Sequence, residues 1–271
     1  MFTIKSITFF PQYESSINDF VSACRLWRII IFLGWEDIRQ RYVRTFLGPL
    51  WLIIGTSIWI AVMSFVMSSL FGNSLANTLP FIASGTILWA FIANILNDGC
   101  NIFTTSFGII HSIQLPMMIH VLRFLVKNII IFLHTLIVLA VIFILCDVHL
   151  NQDTLLVIPG FLLLIVNAFW ISSLFSLINA RFRDFQQIIS SGMAVLPFVT
   201  PIYWEKSFLK SHAWIANINP FYHAIEIVRA PLLGNQADIF SWEFMLVIAL
   251  LGIFFTLIFF SRYKHRIIHW I

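Results

Sequence analysis

Charge is what this sequence has least of. Only 10% of its 271 residues are Asp, Glu, Lys or Arg, while 60% are hydrophobic; a soluble domain carries about 25% charge. Between Arg44 and Asp98 there is no formally charged residue at all. Cysteine is scarce as well. Cys24, Cys100 and Cys146 stand alone, without C-x-x-C spacing, and read as apolar filler rather than a disulfide or metal framework. There is no G-x-x-x-x-G-K-[ST] phosphate loop, no G-x-G-x-x-G after a strand and no H-E-x-x-H. The eight His are scattered, and His111, His120, His134 and His149 are too irregularly spaced to share a metal. Acidic residues are essentially missing from the long apolar runs, which argues against coupling to an ion gradient. Energy for any uphill movement must come from another polypeptide. Met1 to Phe20 holds Pro11, Glu14 and Asp19 and no A-x-A site, so no cleaved signal is expected and the chain is read as inserted whole.

What is present are apolar runs long enough to cross a bilayer. The 53 uncharged residues after Arg44 would make a helix about 80 Å long, against a hydrocarbon core of about 30 Å. The run must fold back, and Gly72-Asn73-Ser74 marks the break, with Pro80 opening the next segment. Spans are expected over roughly 47–71, 79–97, 123–146, 154–179, 185–203 and 243–261. Arg123 and Lys127 head the third on one helical face, their stems long enough to reach a phosphate layer. Residues 204–242 are cut by Pro220 and Pro231 into short pieces interrupted by charge, which suit re-entrant or interfacial helices better than a span.

With six spans and the N-terminus inside, thirteen of the sixteen Lys and Arg fall on the inner side, leaving only Lys206, Lys210 and Arg229 outside. The net charge of +4 therefore points to phosphates and lipid head groups, not nucleic acid. Residues 19–45 alternate apolar and basic side chains and approximate an amphipathic helix at the inner interface, with Gly34 a flaw near its middle. The expected fold is an all-α polytopic membrane protein with six transmembrane helices. Residues 1–45 form its cytoplasmic N-terminal segment and residues 46–271 its membrane domain, within which residues 204–234 are a re-entrant or interfacial region.

Three stretches carry a family signature. Asp37, Arg41, Tyr42, Thr45, Leu47, Gly48 and Trp51 follow the pattern D-x-x-x-R-Y-x-x-S-x-L-G-x-x-W, with Thr45 for Ser. Residues 179–188 begin Asn179-Ala180-Arg181-Phe182-Arg183-Asp184 and lead to Thr200-Pro201-Ile202-Tyr203. Asn219-Pro220-Phe221 then runs to Glu226 and Arg229, followed by Leu233-Gly234. In order and spacing these resemble ABC-2 type permeases across nearly the whole chain, and among them the exporters of O-antigen, capsule and teichoic acid.

The resemblance implies a homodimer in the bacterial inner membrane, both termini cytoplasmic, working with two copies of an ABC ATPase. No cofactor is expected in this chain, with ATP and Mg on the partner subunit. The cargo would be a glycan on a lipid carrier of the undecaprenyl diphosphate type, passed between the two subunits. Arg25, Arg28, Arg39, Arg41 and Arg44 are the candidates for the lipid diphosphate, because guanidinium forks match phosphate oxygens. ATPase coupling falls to the loop 101–116, with a short helix around residues 105–115 (Thr105, Ser106, His111, Gln114), and to Arg181, Arg183 and Asp184, which alternatively fix their turn by an internal ion pair. The outer gate would comprise Tyr203, Trp204, Asn219, Pro220, Glu226 and Arg229, the last two able to pair at i, i+3. Trp59, Phe65, Trp89, Phe91 and Phe198 are candidates to line the passage, since sugar C–H faces rest on aromatic rings.

The residues alone leave other readings open. One is an ABC-2 permease for a drug or smaller lipid. Another is a polyprenyl-phosphate transferase, for which Asp37, Asp98 and Asp184 are the available acids. A structural membrane scaffold is a third.

Overall fold

The computed structural model describes residues 11–43, 45–48 and 50–271. Helices α1 (Pro11–Arg25) and α2 (Trp27–Tyr42) precede α3 (Leu50–Phe71) and α4 (Leu75–Asn97); α5 (Ile102–Thr105) and α6 (Phe107–Ser112) lead into α7 (Met118–Leu145). Then come α8 (Val157–Arg181), α9 (Phe185–Val199), α10 (Trp214–Ile218), α11 (Pro220–Leu232), α12 (Ile239–Tyr263) and α13 (Ile267–Trp270). No strand occurs among the described residues.

Among the described residues, five helical runs are long and apolar enough to cross a membrane: Leu50–Phe71, Leu75–Ser112, Met118–Leu145, Gln152–Arg181 and Ile239–Trp270. The span expected over 185–203 is the shorter helix α9 of 15 residues, about 22 Å of rise against about 30 Å of hydrocarbon. α4 is the central helix, with 72% of its most apolar stretch buried, whereas α3 is peripheral with 11%. Around α4 stand α7, α8, α9 and α11, and α12 closes against α8.

Several boundaries differ from those expected. The break at residues 72–74 holds, with Gly72 at φ 69°, a backbone that favours glycine. However, α4 starts at Leu75 and runs through Pro80 instead of opening at it. A proline there removes one backbone hydrogen bond, which a buried helix tolerates. α7 begins at Met118, so Arg123 and Lys127 lie about one and a half and two and a half turns inside the helix. The amphipathic segment is two helices, parted at Leu26.

Gly34 is no flaw in α2. A Cβ on it would lie 2.9 Å from Val126 Cγ1 and 3.1 Å from the Arg123 carbonyl oxygen. Together with Ile30 and Ile38 it makes the buried stripe of α2, spaced at i, i+4, i+8 as one helical face requires. Trp27, Phe32 and Trp35 point away from the bundle, an apolar face suited to an interfacial helix.

Candidate functional site

Two polar junctions stand out, one at each end of the bundle. The first joins the second half of the family signature to itself. Asn219 caps α11: its Oδ1 accepts from the Phe221 N–H at 2.9 Å, with Pro220 in the first turn, an arrangement that satisfies an otherwise orphaned donor. Its Nδ2 donates to Thr200 Oγ1 at 2.9 Å. Ten residues on, buried Arg229 donates from Nη1 to the Pro201 carbonyl at 2.7 Å and from Nη2 to Glu226 Oε2 at 2.8 Å. Its guanidinium lies 4.2 Å from the centroid of the Phe81 ring. The expected Glu226–Arg229 pair is therefore formed.

Glycines let the backbones approach here. A Cβ on Gly85 would sit 3.0 Å from the Ile202 carbonyl oxygen, and one on Gly160 2.5 Å from that of Ile227. Segment 200–202 thus docks on α4, and α11 docks on α8. Tyr203 and Trp204 are half-buried and border a pocket with Phe71, Phe81, Asn77 and Glu205.

The second junction lies around the segment 98–127. A polar cavity of about 210 Å³ is lined by Asp37, Asp98, Thr105, Ser106, His120, Arg123 and Lys127. Asp37 receives both Arg123 Nε, at 3.1 Å, and Nη2, at 3.2 Å. Arg123 Nη1 and His120 Nδ1 are buried there without a hydrogen-bond partner among the described residues. Beside it, Asn179 Nδ2 donates to Asn101 Oδ1 at 3.2 Å while its Oδ1 accepts the Gln186 N–H at 3.1 Å. That one side chain fastens the α8–α9 turn to the segment before α5.

The expected coupling residues are split by exposure. Thr105, His111 and Gln114 face outward, Ser106 is buried, and the short helix is α6, residues 107–112. Arg181, Arg183 and Asp184 are exposed, with no ion pair among them. Instead the Arg181 guanidinium lies 5.3 Å from the Phe182 ring and 5.2 Å from that of Trp270, tying α8 to α13.

The basic candidates are spread out. Arg25, Arg28, Arg39 and Arg41 are exposed, Arg39 pairs with Glu36 at 3.3 Å, and Arg44 lies outside the described residues. At about 100° per residue, Arg28 and Arg39 share a face of α2 while Arg41 stands about 200° from Arg39. Of the aromatic candidates, Trp59, Phe65 and Phe198 face outward. Trp89 and Phe91 are held in the core, Trp89 against Phe221 and Phe91 against Phe132 and Phe161.

Sequence reasoning missed Asp19, Asn101 and Asn179 as junction residues. The Asp19–Met118 and Asn101–Asn179 contacts span 99 and 78 positions, and no local spacing marks such contacts.

Described residues that are helical without strands, with five span-length apolar helices among them and two polar junctions, define a polytopic membrane protein. Residues 29–233 match the family model described as ABC-2 type transporter, and the chain belongs to that family. It is 22% identical over 249 residues to an O-antigen export system permease protein RfbA of Klebsiella pneumoniae, covering 89% of this chain and 94% of that protein. A second RfbA protein of that species is 21% identical over 246 residues, with the same coverage. As an ABC-2 permease the chain is a membrane transport subunit and works with an ABC ATPase, which carries the hydrolytic activity.

Proposed function

We propose that this chain is the permease subunit of an ATP-binding cassette exporter that moves a lipid-linked polysaccharide, of O-antigen type, out of the cytoplasm. The observation that carries the cargo is the end-to-end similarity to two O-antigen export permeases, which spans 94% of each of them and not an isolated motif.

In this reading the chain sits in the bacterial inner membrane with both termini cytoplasmic, and α1 and α2, within the N-terminal segment 1–45, lie at the inner interface ahead of the membrane domain. α9 serves as the fifth of six spans, lengthened by the segment 200–203. Residues 204–234 form re-entrant helices at the outer mouth. Support comes from α11, which is buried on most sides although only 13 residues long, too short to cross. Tyr203, Trp204, Asn219, Pro220, Glu226 and Arg229 act there as the gate. Two chains enclose the passage, and Trp59, Phe65 and Phe198 are the outward rings available to line it. α6 of each chain, with Thr105, His111 and Gln114 around it, receives one of two ATPase subunits, which bind the ATP and Mg. Arg25, Arg28, Arg39, Arg41 and Arg44 receive the carrier diphosphate.

Deleting the gene and locating the polymer tests the reading. The expected outcome is lipid-linked glycan held in the cytoplasm and recovery of surface glycan on complementation. Polymer made and delivered normally would end the glycan assignment and leave an ABC-2 permease for another cargo. Polymer not made at all would favour a biosynthetic transferase.

A further inference from the structure

The structure assigns to Asp19 and Asp37 the role of a two-point clamp. It passes movement of the α5–α6 connection to α2, and through α2 to the peripheral span α3. The assignment rests on the reading that α6 meets the ATPase.

Asp19, on α1, reaches the start of α7. Its Oδ2 accepts the Met118 N–H at 3.0 Å across 99 residues of sequence, and its Oδ1 lies 3.7 Å from Lys264 Nζ. A carboxylate at a helix N-terminus satisfies an orphaned donor and meets the positive end of the helix dipole. Asp37, on α2, holds Arg123 through both carboxylate oxygens, a fork that fixes orientation as well as distance. Gly34 brings the two backbones together between these points, since any side chain there would strike Val126 and the Arg123 carbonyl. The first two turns of α7 and the α1–α2 unit are therefore one mechanical piece.

Position gives that piece its consequence. α7 begins six residues after α6 ends, so a push on α6 arrives first at Met118 and Arg123. α3 begins eight residues after α2 ends; of the five candidate spans among the described residues it is the least buried within its own chain and hence the one that moves at least cost. In the cavity beside the clamp Arg123 Nη1 has no partner among the described residues, so the side chain has room and a donor for a second arrangement. Packed elements with two arrangements are what transmit coupling between sites.

The test needs no knowledge of the cargo. In the purified permease–ATPase complex, with Cys24→Ser, Cys100→Ala and Cys146→Ser, a single cysteine is placed by Trp51→Cys at the start of α3. Its labelling by an impermeant maleimide is timed with and without Mg-ATP and vanadate. In this parent the rate is expected to change about tenfold on nucleotide trapping, the size usual for two coupled sites. Adding Asp37→Ala should abolish the change while ATP hydrolysis and co-purification persist. The exchange Asp37→Arg with Arg123→Asp should restore it, which a merely structural role of either residue does not predict. A full response in Asp37→Ala, no rescue by the exchange, loss of ATPase co-purification in Asp37→Ala, or no response in the parent would each overturn the assignment. A bismaleimide cross-link from His111→Cys to the ATPase reports separately on whether α6 is the contact. The deletion experiment reports separately on the glycan.

Discussion

Arg229 donates to the carbonyl of Pro201, 28 residues earlier, at 2.7 Å. That bond joins the start of the segment following α9 to the last turn of α11, and the same guanidinium neutralises Glu226 one helical turn away. An arginine buried this deeply is stable because its donors are matched and its face rests on Phe81.

Arg229→Ala should therefore cost more than an exposed ion pair of the same geometry. It strands the Glu226 charge and leaves the Pro201 carbonyl unpaired. Removing one partner of a buried pair costs about 3–5 kcal/mol. Detergent-solubilised Arg229→Ala is expected to lose its monodisperse peak at clearly lower temperature than the parent. Adding Glu226→Gln should recover part of the loss. Equal melting of parent and Arg229→Ala would mean the junction contributes nothing to stability.

Gly160→Ala should separate α8 from α11. A Cβ at residue 160 would meet the Ile227 carbonyl oxygen at 2.5 Å, and backbone cannot swing aside as a side-chain tip can. Overpacking of this kind costs about 1–3 kcal/mol. Gly55, in α3, has nothing among the described residues within 4 Å of its Cβ position, so Gly55→Ala should be neutral or stabilise by up to about 1 kcal/mol through helix propensity. Thermal unfolding of the two variants side by side checks both. A destabilised Gly55→Ala would reveal a neighbour outside the chain, as a second subunit would supply.

Asn219→Ala removes a helix cap worth about 1 kcal/mol and also deprives the buried Thr200 hydroxyl of its partner. Asn219→Asp keeps the acceptor for the Phe221 N–H but not the amide donor to Thr200. The expected order of thermal stability is parent, then Asn219→Asp, then Asn219→Ala. An Asn219→Ala that matches the parent would show that the cap is dispensable.

The long charge-free runs made the membrane helices legible, because nothing but hydrocarbon tolerates such stretches. Gly72 and the Glu226–Arg229 spacing were legible too, being local. Pro80 misled, since a rule drawn from exposed helices overstates its power to start or stop a buried one. Gly34 looked like a defect in an amphipathic pattern because the pattern does not contain Val126, the residue it accommodates. The junctions of Asp19 with Met118 and of Asn179 with Asn101 bring together residues far apart in the chain. Periodicity records which face is apolar and says nothing of which element that face will meet.

The basic residues of the N-terminal unit give the prediction that most directly tests cargo handling. Arg39 and Arg41 are exposed and point to different sides of α2, so they do not form one cluster within a single chain. Two roles make different demands on them. Attraction to anionic lipid contributes about 1 kcal/mol per positive charge and accepts Lys in place of Arg. Recognition of a diphosphate uses the planar fork, and a hydrogen bond to a charged group contributes about 1.5–3 kcal/mol. Changed singly to Ala, at least one of Arg39, Arg41 and Arg44 is expected to lower surface glycan by about tenfold while the amount of permease in the membrane stays constant. The Lys substitution at that position should remain impaired. Full recovery with Lys would reassign the charge to membrane anchoring, and normal export by all three Ala variants would remove these arginines from the substrate path.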